Sequence, residues 1–203
     1  MKLPVRYLSY EDLREQADSV LARHASSGQI PIPIEHMVEF GYGITIIPLP
    51  GLQVVHEVDA FLSRDRATVY VDNSVIEHRS PNRYRFSLAH ELGHFLLHQD
   101  VYSMVSFSTA EEWKRIIHEM SEKDREWLEW QAYAFAGLIL VPRNPLKDRL
   151  FQATKVATKA GFSLKDNDEV AKNYVSTWLG KQFGVSSQVI QKRLDKDGLW
   201  PPH

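Results

Sequence analysis

The period of the apolar residues changes once along the chain, near residue 72, and this change restricts the fold more than any other feature. Before it, four short segments are rich in β-branched and aromatic residues and are separated by turns; they cover residues 44–47, 52–58, 60–62 and 67–71. After it, nearly the whole chain has helical periodicity. Strands followed by helices are typical of the α+β class. We therefore predict a small, mostly antiparallel sheet of three or four strands packed on a helical core.

Capping and helix-breaking residues give the expected bounds of the helices. Ser9 caps a predicted helix that ends near His24, and Ser80-Pro81 begins one that ends near His98. A serine-rich loop is expected to follow, over residues 101–109. The other predicted helices cover residues 35–40, 110–120, 122–140, 167–183 and a last stretch that ends near residue 194.

Composition excludes several classes of function. The 203 residues include no cysteine, which rules out disulfides, a thiolate nucleophile and cysteine-ligated metal clusters. A bound metal would have to be held by His, Asp and Glu side chains. The 24 Lys and Arg residues nearly balance the 26 Asp and Glu residues, so the chain has no overall positive field for nucleic acid. The longest apolar run, residues 132–141, is too short to cross a bilayer, and we expect a cytoplasmic protein.

One predicted helix carries the residues for chemistry. Its H-E-x-x-H sequence, residues 90–94, places His90 and His94 four positions apart, where two imidazoles adjoin and can bind one divalent ion. Leu88 and Leu92 fall on roughly the opposite side and can pack in a core. An ion in such a site lowers the pKa of a water toward about 7 and polarises a carbonyl. Glu91 is placed to accept the water proton and deliver it to a leaving amine.

Two histidines leave such a site one protein ligand short. The third histidine of the extended motif is missing, because positions 97 and 100 are leucine and aspartate. The candidate carboxylates lie on roughly one side of the predicted helix 122–140 and belong to Glu122, Glu126 and Glu129. Periodicity does not choose among them. Glu129 has the advantage that it precedes the small residues Ala132, Ala136 and Gly137, where this helix can pack closely against another.

Two motifs together resemble the ImmA/IrrE family of metallopeptidases. They are RFSLAHELGHFLLH at residues 85–98 and EWQAYAFAGLILVP at residues 129–142. The family joins an R-F-t-l-A-H-E-l-G-H helix to a later E-x-x-A-n-x-F-A-x-x-L-L-x-P helix, and its metal-binding glutamate falls on Glu129. The resemblance implies a metalloendopeptidase with His90, His94 and Glu129 as ligands and Glu91 as general base. Zinc suits two histidines, a glutamate and a water, and manganese also fits a site of nitrogen and oxygen ligands.

The resemblance also implies a regulatory role. Family members cleave a helix-turn-helix transcriptional repressor in response to stress, DNA damage or a mobile-element signal, so we expect a protein substrate of this kind. The alternative is a DNA-binding or adaptor regulator with a non-catalytic metal site, which would use Lys192 and Arg193 on DNA. A third possibility is a metal hydrolase that acts on a non-peptide bond.

Three further features belong to the expected site. Tyr133 stands where the family has asparagine or another small polar residue, which would normally orient a ligand from behind. His98 continues the histidine stripe, and we assign it a supporting or structural role in place of a ligand role. The segment 67–73 is expected to border the cleft and to offer an open edge to an extended substrate; the alternative is an ordinary strand.

The C-terminal residues have a helix-turn-helix pattern. Two predicted helices flank the turn Gly184-Val185-Ser186. Residues 181–203 include four basic and two acidic side chains, a slight excess only. We therefore favour packing on the core or partner recognition over DNA binding for these helices. The expected division is a metallopeptidase domain over residues 1–148 and a helical segment over residues 149–203.

Overall fold

The fold of the protein follows the predicted order of a helix, a small sheet and then helices, and the α+β class is confirmed. The computed structural model describes residues 3, 5–25, 28–77, 81–164 and 169–202. The first elements are α1 (Tyr10–His24), α2 (Ile34–His36, continued by a π-helical turn, Met37–Gly41), β1 (Thr45–Leu49), α3 (Leu52–His56), β2 (Ala60–Leu62) and β3 (Thr68–Asp72). The later helices are α4 (Asn73–Glu77), α5 (Pro81–Leu97), α6 (Gln99–Met104), α7 (Ala110–Glu119), α8 (Glu122–Leu140), α9 (Arg143–Lys159), α10 (Glu169–Phe183) and α11 (Ser187–Lys196).

The sheet has three strands and is mixed, which corrects the prediction of a mostly antiparallel sheet. β3 lies in the centre, parallel to β1 and antiparallel to β2. The first pair is parallel because the chain between β1 and β3 makes a crossover that contains α3 and β2. Segment 52–58, predicted as a strand, forms α3 instead. The buried Asp72 carboxylate accepts the N–H of Gln53 in the first turn of α3, which satisfies a donor that the helix itself leaves free.

Three later helices, α4, α6 and α9, are not among those predicted. The serine-rich loop begins as α6, because Val101 and Tyr102 are buried against the core and favour one helical face. α9 follows directly after Pro142, which ends α8 and is compatible with the start of the next helix. The predicted division at residue 148 falls within α9. The predicted starts at Ser80 and at residue 167 lie outside the described residues.

The contact between α5 and α8 is unusually close at one glycine. A Cβ atom added at Gly93 would lie 3.1 Å from the Cα atom of Ala132 and 3.3 Å from its carbonyl oxygen. Ala132 and Ala136 are fully buried in the same interface. The small residues therefore let the two backbones approach, as the sequence of α8 predicts. This approach brings the first half of α8 to the face of α5 that carries the histidines.

The last helix, α11, is fixed to the core by a buried ionic cluster. The Asp197 carboxylate lies 2.9 Å from Nη2 of Arg14 on α1 and 3.0 Å from Nη2 of Arg193 on α11. Arg193 also donates to the carbonyl oxygen of Val141, at the end of α8, and to the hydroxyl of Tyr10. The turn before α11 contains Gly184 in the left-handed region, at φ 64°. α11 therefore packs against both α1 and α8.

We predict that Asp72→Asn destabilises the protein in a pH-dependent way. Burial raises the pKa of Asp72, but hydrogen bonds from Ser74 and from the backbone N–H of Gln53 together lower it by more. The net pKa is therefore below the ordinary 3.8. The stabilisation by the carboxylate is therefore present above the unfolded-state pKa and is lost as pH falls through the folded-state pKa. Urea unfolding should show Asp72→Asn less stable by about 1–3 kcal/mol near neutral pH. A difference that stays constant from neutral pH to about pH 3 would contradict this role.

Candidate metal centre

The two histidines of the motif meet on α5. His90 and His94 lie one turn apart, and their Nε2 atoms are 3.0 Å from each other. The His94 side chain is 3% exposed and that of His90 is 13% exposed, so one is buried and the other opens to the cleft. The predicted apolar face of α5 is buried, and residues outside that face are buried too. Glu91 and His94, at 5% and 3% exposed, are also buried, because α8 and β2 pack against α5 as well.

Glu129 of α8 completes a set of three ligand atoms. Its carboxylate oxygens lie 3.4 Å from Nε2 of His90 and 3.8 Å from Nε2 of His94. Ligand atoms about 2.0–2.2 Å from a tetrahedral zinc ion are about 3.3–3.6 Å apart. The three separations here, 3.0, 3.4 and 3.8 Å, lie on both sides of this range, so small shifts of the side chains would let them share one ion. His90, His94 and Glu129 form the group of potential metal ligands found among the described residues. The other two candidates, Glu122 and Glu126, are exposed at the start of α8 and take no part in this group.

Burial and neighbouring charges shift the pKa values of the two histidines in opposite directions. Burial, with smaller contributions from His90 and His98, holds the pKa of His94 well below its ordinary value. Burial lowers the pKa of His90 too, but Glu129 and Glu91 raise it more, and the net shift is upward. His94 is therefore neutral near pH 7, as a metal ligand must be.

Glu91 lies beside the ligands and is itself 5% exposed. Burial raises the pKa of its carboxyl group to about 8, although the neighbouring His90 and the backbone N–H of Leu62 lower it. A divalent ion at the adjacent ligands would lower this pKa again, because an opposite charge favours the ionised form. The Leu62 N–H orients the carboxylate from the strand β2. The donor set and its surroundings therefore fit a divalent metal with a carboxylate base next to it.

His98 and Tyr133 have different positions around this centre. The two ring nitrogens of His98 face His94 and Gln131, at 3.0 and 3.2 Å, so His98 lies behind His94 and away from the ligand atoms. The ring of Tyr133 packs against that of His90, with centroids 4.6 Å apart, and the side chain is largely exposed. Nδ1 of His90 is buried and has no hydrogen-bond partner among the described residues. Tyr133 thus supports His90 by packing.

The centre lies at the base of a cleft with a volume of about 1040 Å³. The cleft is bordered by β2, α7 and α11, whose contributions include Ala60, Trp113 and Lys192. The strand expected at this border, segment 67–73, forms β3 in the middle of the sheet and is paired on both sides. That expectation is wrong, because the parallel pairing with β1 covers the edge of β3. The edge strand at the cleft is β2.

Comparisons with known proteins identify a family to which most of the chain aligns. The family model described as Peptidase_M78, the IrrE N-terminal-like domain, matches residues 43–195. The chain belongs to this family. The matched region contains all three candidate ligands and Glu91, and it extends into α11. No curated protein matches the chain by sequence.

The fold is shared with a solved structure described as a Mycobacterium tuberculosis transcriptional regulator. The TM-score is 0.53 and the sequence identity is 18%. The alignment covers 91% of this chain and 46% of that one, so this chain spans less than half the length of that structure. This likeness shows the common fold. Among the described residues, no helix has both the length and the apolar character needed to cross a membrane.

The sequence interpretation missed two residues at the centre. Gln131 is fully buried and contacts His98. In the sequence it could have been found as a polar side chain within an apolar run, two positions after Glu129. Leu62 acts on Glu91 through its backbone N–H, for which a side-chain pattern carries no signal.

We predict that Glu129→Gln weakens zinc binding at least about 100-fold, because the substitution removes a charged ligand. Loss of a residue that only supports a ligand typically weakens binding about 10–100-fold, and loss of the ligand itself should have a larger effect. Glu126→Gln is the matched control, since Glu126 lies on the same helix three positions earlier and is exposed. Its zinc affinity should equal that of the wild type. Competition with a chelator of known affinity measures both. Equal losses in the two variants would mean that Glu129 is not a ligand.

Proposed function

We propose that the protein is a metal-dependent endopeptidase that cleaves a helix-turn-helix transcriptional repressor in a stress or mobile-element response. The observation that carries the proposal is the convergence of His90, His94 and Glu129 on one point, with the buried Glu91 beside them at the base of a cleft. Membership of the Peptidase_M78 family supports the same class of reaction.

The chain's own residues have distinct tasks in this reaction. His90, His94 and Glu129 would hold zinc or manganese, which would activate a water and polarise the substrate carbonyl. Glu91 accepts the proton of the attacking water and then delivers it to the leaving amine. The N–H of Leu62 keeps the Glu91 carboxylate oriented while this proton moves. The buried walls around Glu91 and His94 limit the access of bulk water.

The strand β2 is suited to hold the substrate backbone. The backbone carbonyl of Asp59 accepts a hydrogen bond from the N–H of Asp72, and the N–H of Ser63 donates one to the carbonyl of Thr68. The backbone groups of Asp59 and Ser63 therefore face β3. Residues alternate in an antiparallel pair, and the backbone groups of Ala60 and Leu62 therefore face away from β3. The Leu62 N–H contacts Glu91, which places this edge next to the base. An extended substrate can add to β2 at Ala60, where its backbone passes the ligand set.

A protein substrate is supported by the size and walls of the cleft, and a regulatory one by the ImmA/IrrE resemblance. The cleft has a volume of about 1040 Å³ and is bounded by helices from both halves of the chain. A chain bound on β2 must be extended or locally unfolded, which suits a flexible loop or linker of a repressor. The solved structure with the same fold is described as a transcriptional regulator.

The alternative function, a DNA-binding or adaptor regulator with a non-catalytic metal site, would use Lys192 and Arg193 on DNA. Arg193 is 3% exposed, and its guanidinium bonds to Asp197 and to the carbonyl of Val141. The guanidinium of Arg193 is therefore not accessible to a DNA phosphate. α11 forms a wall of the cleft, with Lys192 in the lining, so we assign it to the peptidase.

We predict that Glu91→Gln lowers the rate of cleavage by about 100–10,000-fold, since the amide does not accept the water proton. The three ligands are unchanged, so the zinc content should stay at one ion per chain. The test mixes each purified, zinc-loaded protein with candidate helix-turn-helix repressors and follows one discrete cut by mass spectrometry.

A chelator should abolish the cut, and added zinc or manganese should restore it. Cleavage by Glu91→Gln at the wild-type rate would refute the assigned base. Hydrolysis of small esters but not of any protein would favour a non-peptide hydrolase. Operator binding that falls with salt but survives the chelator would favour the DNA-binding alternative.

A further inference from the structure

Behind His94 runs a chain of hydrogen bonds that ends on the backbone of the N-terminal segment. Nδ1 of His94 is 3.0 Å from Nδ1 of His98. Nε2 of His98 is 3.2 Å from Oε1 of Gln131, and Nε2 of Gln131 is 2.8 Å from the carbonyl oxygen of Arg6. His94, His98 and Gln131 are all at most 3% exposed, so water does not compete for these bonds.

The last bond fixes the direction of all the others. A backbone carbonyl oxygen only accepts, so the amide nitrogen of Gln131 donates to Arg6. The amide oxygen therefore faces His98 and accepts a proton from its Nε2. A neutral imidazole has a single N–H, so Nδ1 of His98 is an acceptor. Its partner, Nδ1 of His94, must donate, and the free lone pair of His94 is then on Nε2.

We propose that His98 and Gln131 are positioning residues that hold His94 in the tautomer with its proton on Nδ1, which leaves Nε2 free to bind a divalent metal. The proposal rests on the metal centre of the proposed function and does not depend on peptidase activity. Arg6 lies outside the family-matched region, residues 43–195, so the N-terminal segment of this chain completes the support.

His90 has no equivalent support, which makes the two ligands unequal. Its Nδ1 is buried with no hydrogen-bond partner among the described residues, and its ring is held by packing against Tyr133. The tautomer of His90 is therefore free to change when a metal binds, whereas that of His94 is set in advance. Bonds behind a ligand typically change metal affinity about 10–100-fold.

Nitrogen-15 NMR of the histidine rings in the metal-free wild type tests the proposal directly. His94 should show a protonated Nδ1 and an unprotonated Nε2, the reverse of the tautomer that free histidine prefers. Assignment uses the loss of one ring signal in a His94→Gln variant. A proton on Nε2 of His94 would overturn the proposal, and this measurement requires no substitution at His98 or Gln131.

Zinc affinity of two His98 variants provides a second test. His98→Asn can place an amide oxygen near the position of Nδ1 and keep an acceptor for His94, whereas His98→Leu removes the acceptor. We expect His98→Leu to bind zinc about 10–100-fold more weakly and His98→Asn to recover most of this loss. The exposed His36→Asn is the control and should bind as the wild type does.

Equal affinity of His98→Leu and the wild type would overturn the proposal, as would equal losses in the leucine and asparagine variants. Thermal unfolding of each variant shows whether it is folded at the temperature of the titration. If the Glu91→Gln prediction fails while the His94 tautomer and the His98 series behave as expected, the peptidase assignment is wrong and the positioning role stands.

Discussion

The close packing of α5 against α8 is the contact on which the site depends. The side chains of the candidate metal centre come from these two helices. The two backbones approach at Gly93 and Ala132, where a Cβ atom on the glycine would lie 3.1 Å from Cα of the alanine. A larger residue at either position would separate Glu129 from the histidines. An increase of about 1 Å in this separation would break the ligand geometry, because metal–ligand distances vary by only about 0.2 Å. The small residues of the interface are thus a condition for the chemistry.

The buried cluster of Asp197, Arg14 and Arg193 plays a corresponding role for the cleft. It joins α11 to α1, and Arg193 also bonds to the carbonyl that ends α8. Removal of one partner from such a cluster typically costs about 3–5 kcal/mol, since a charge remains buried without its counter-ion. The helix that resembles a DNA-reading helix in sequence is therefore held in the cleft wall. Of its basic residues, Arg193 bonds within this cluster and Lys192 lines the cleft.

The sequence predicts the parts of this structure that depend on local pattern. Helix α8 matches its predicted bounds, and α1 is capped by Ser9 as expected. The candidate ligand pair follows from helical spacing. The family motif selects Glu129, whereas periodicity alone does not distinguish it from Glu122 and Glu126. Segment 52–58 differs from its predicted structure because a distant residue contacts it. Its β-branched residues are typical of a strand, but a buried aspartate twenty residues later caps it as a helix. The parallel pairing of β1 with β3, which are distant in sequence, also makes the sheet mixed and leaves β2 as the edge strand at the cleft.

We propose that two histidines and one glutamate bind a single ion while His98 stays behind them. X-ray absorption spectroscopy of the zinc-loaded protein, with metal analysis, tests it most directly. We expect one zinc ion per chain with four ligands, two of them imidazole nitrogens and the others oxygens, at about 2.0–2.2 Å. Three imidazoles on the ion, or no stoichiometric zinc at all, would contradict it.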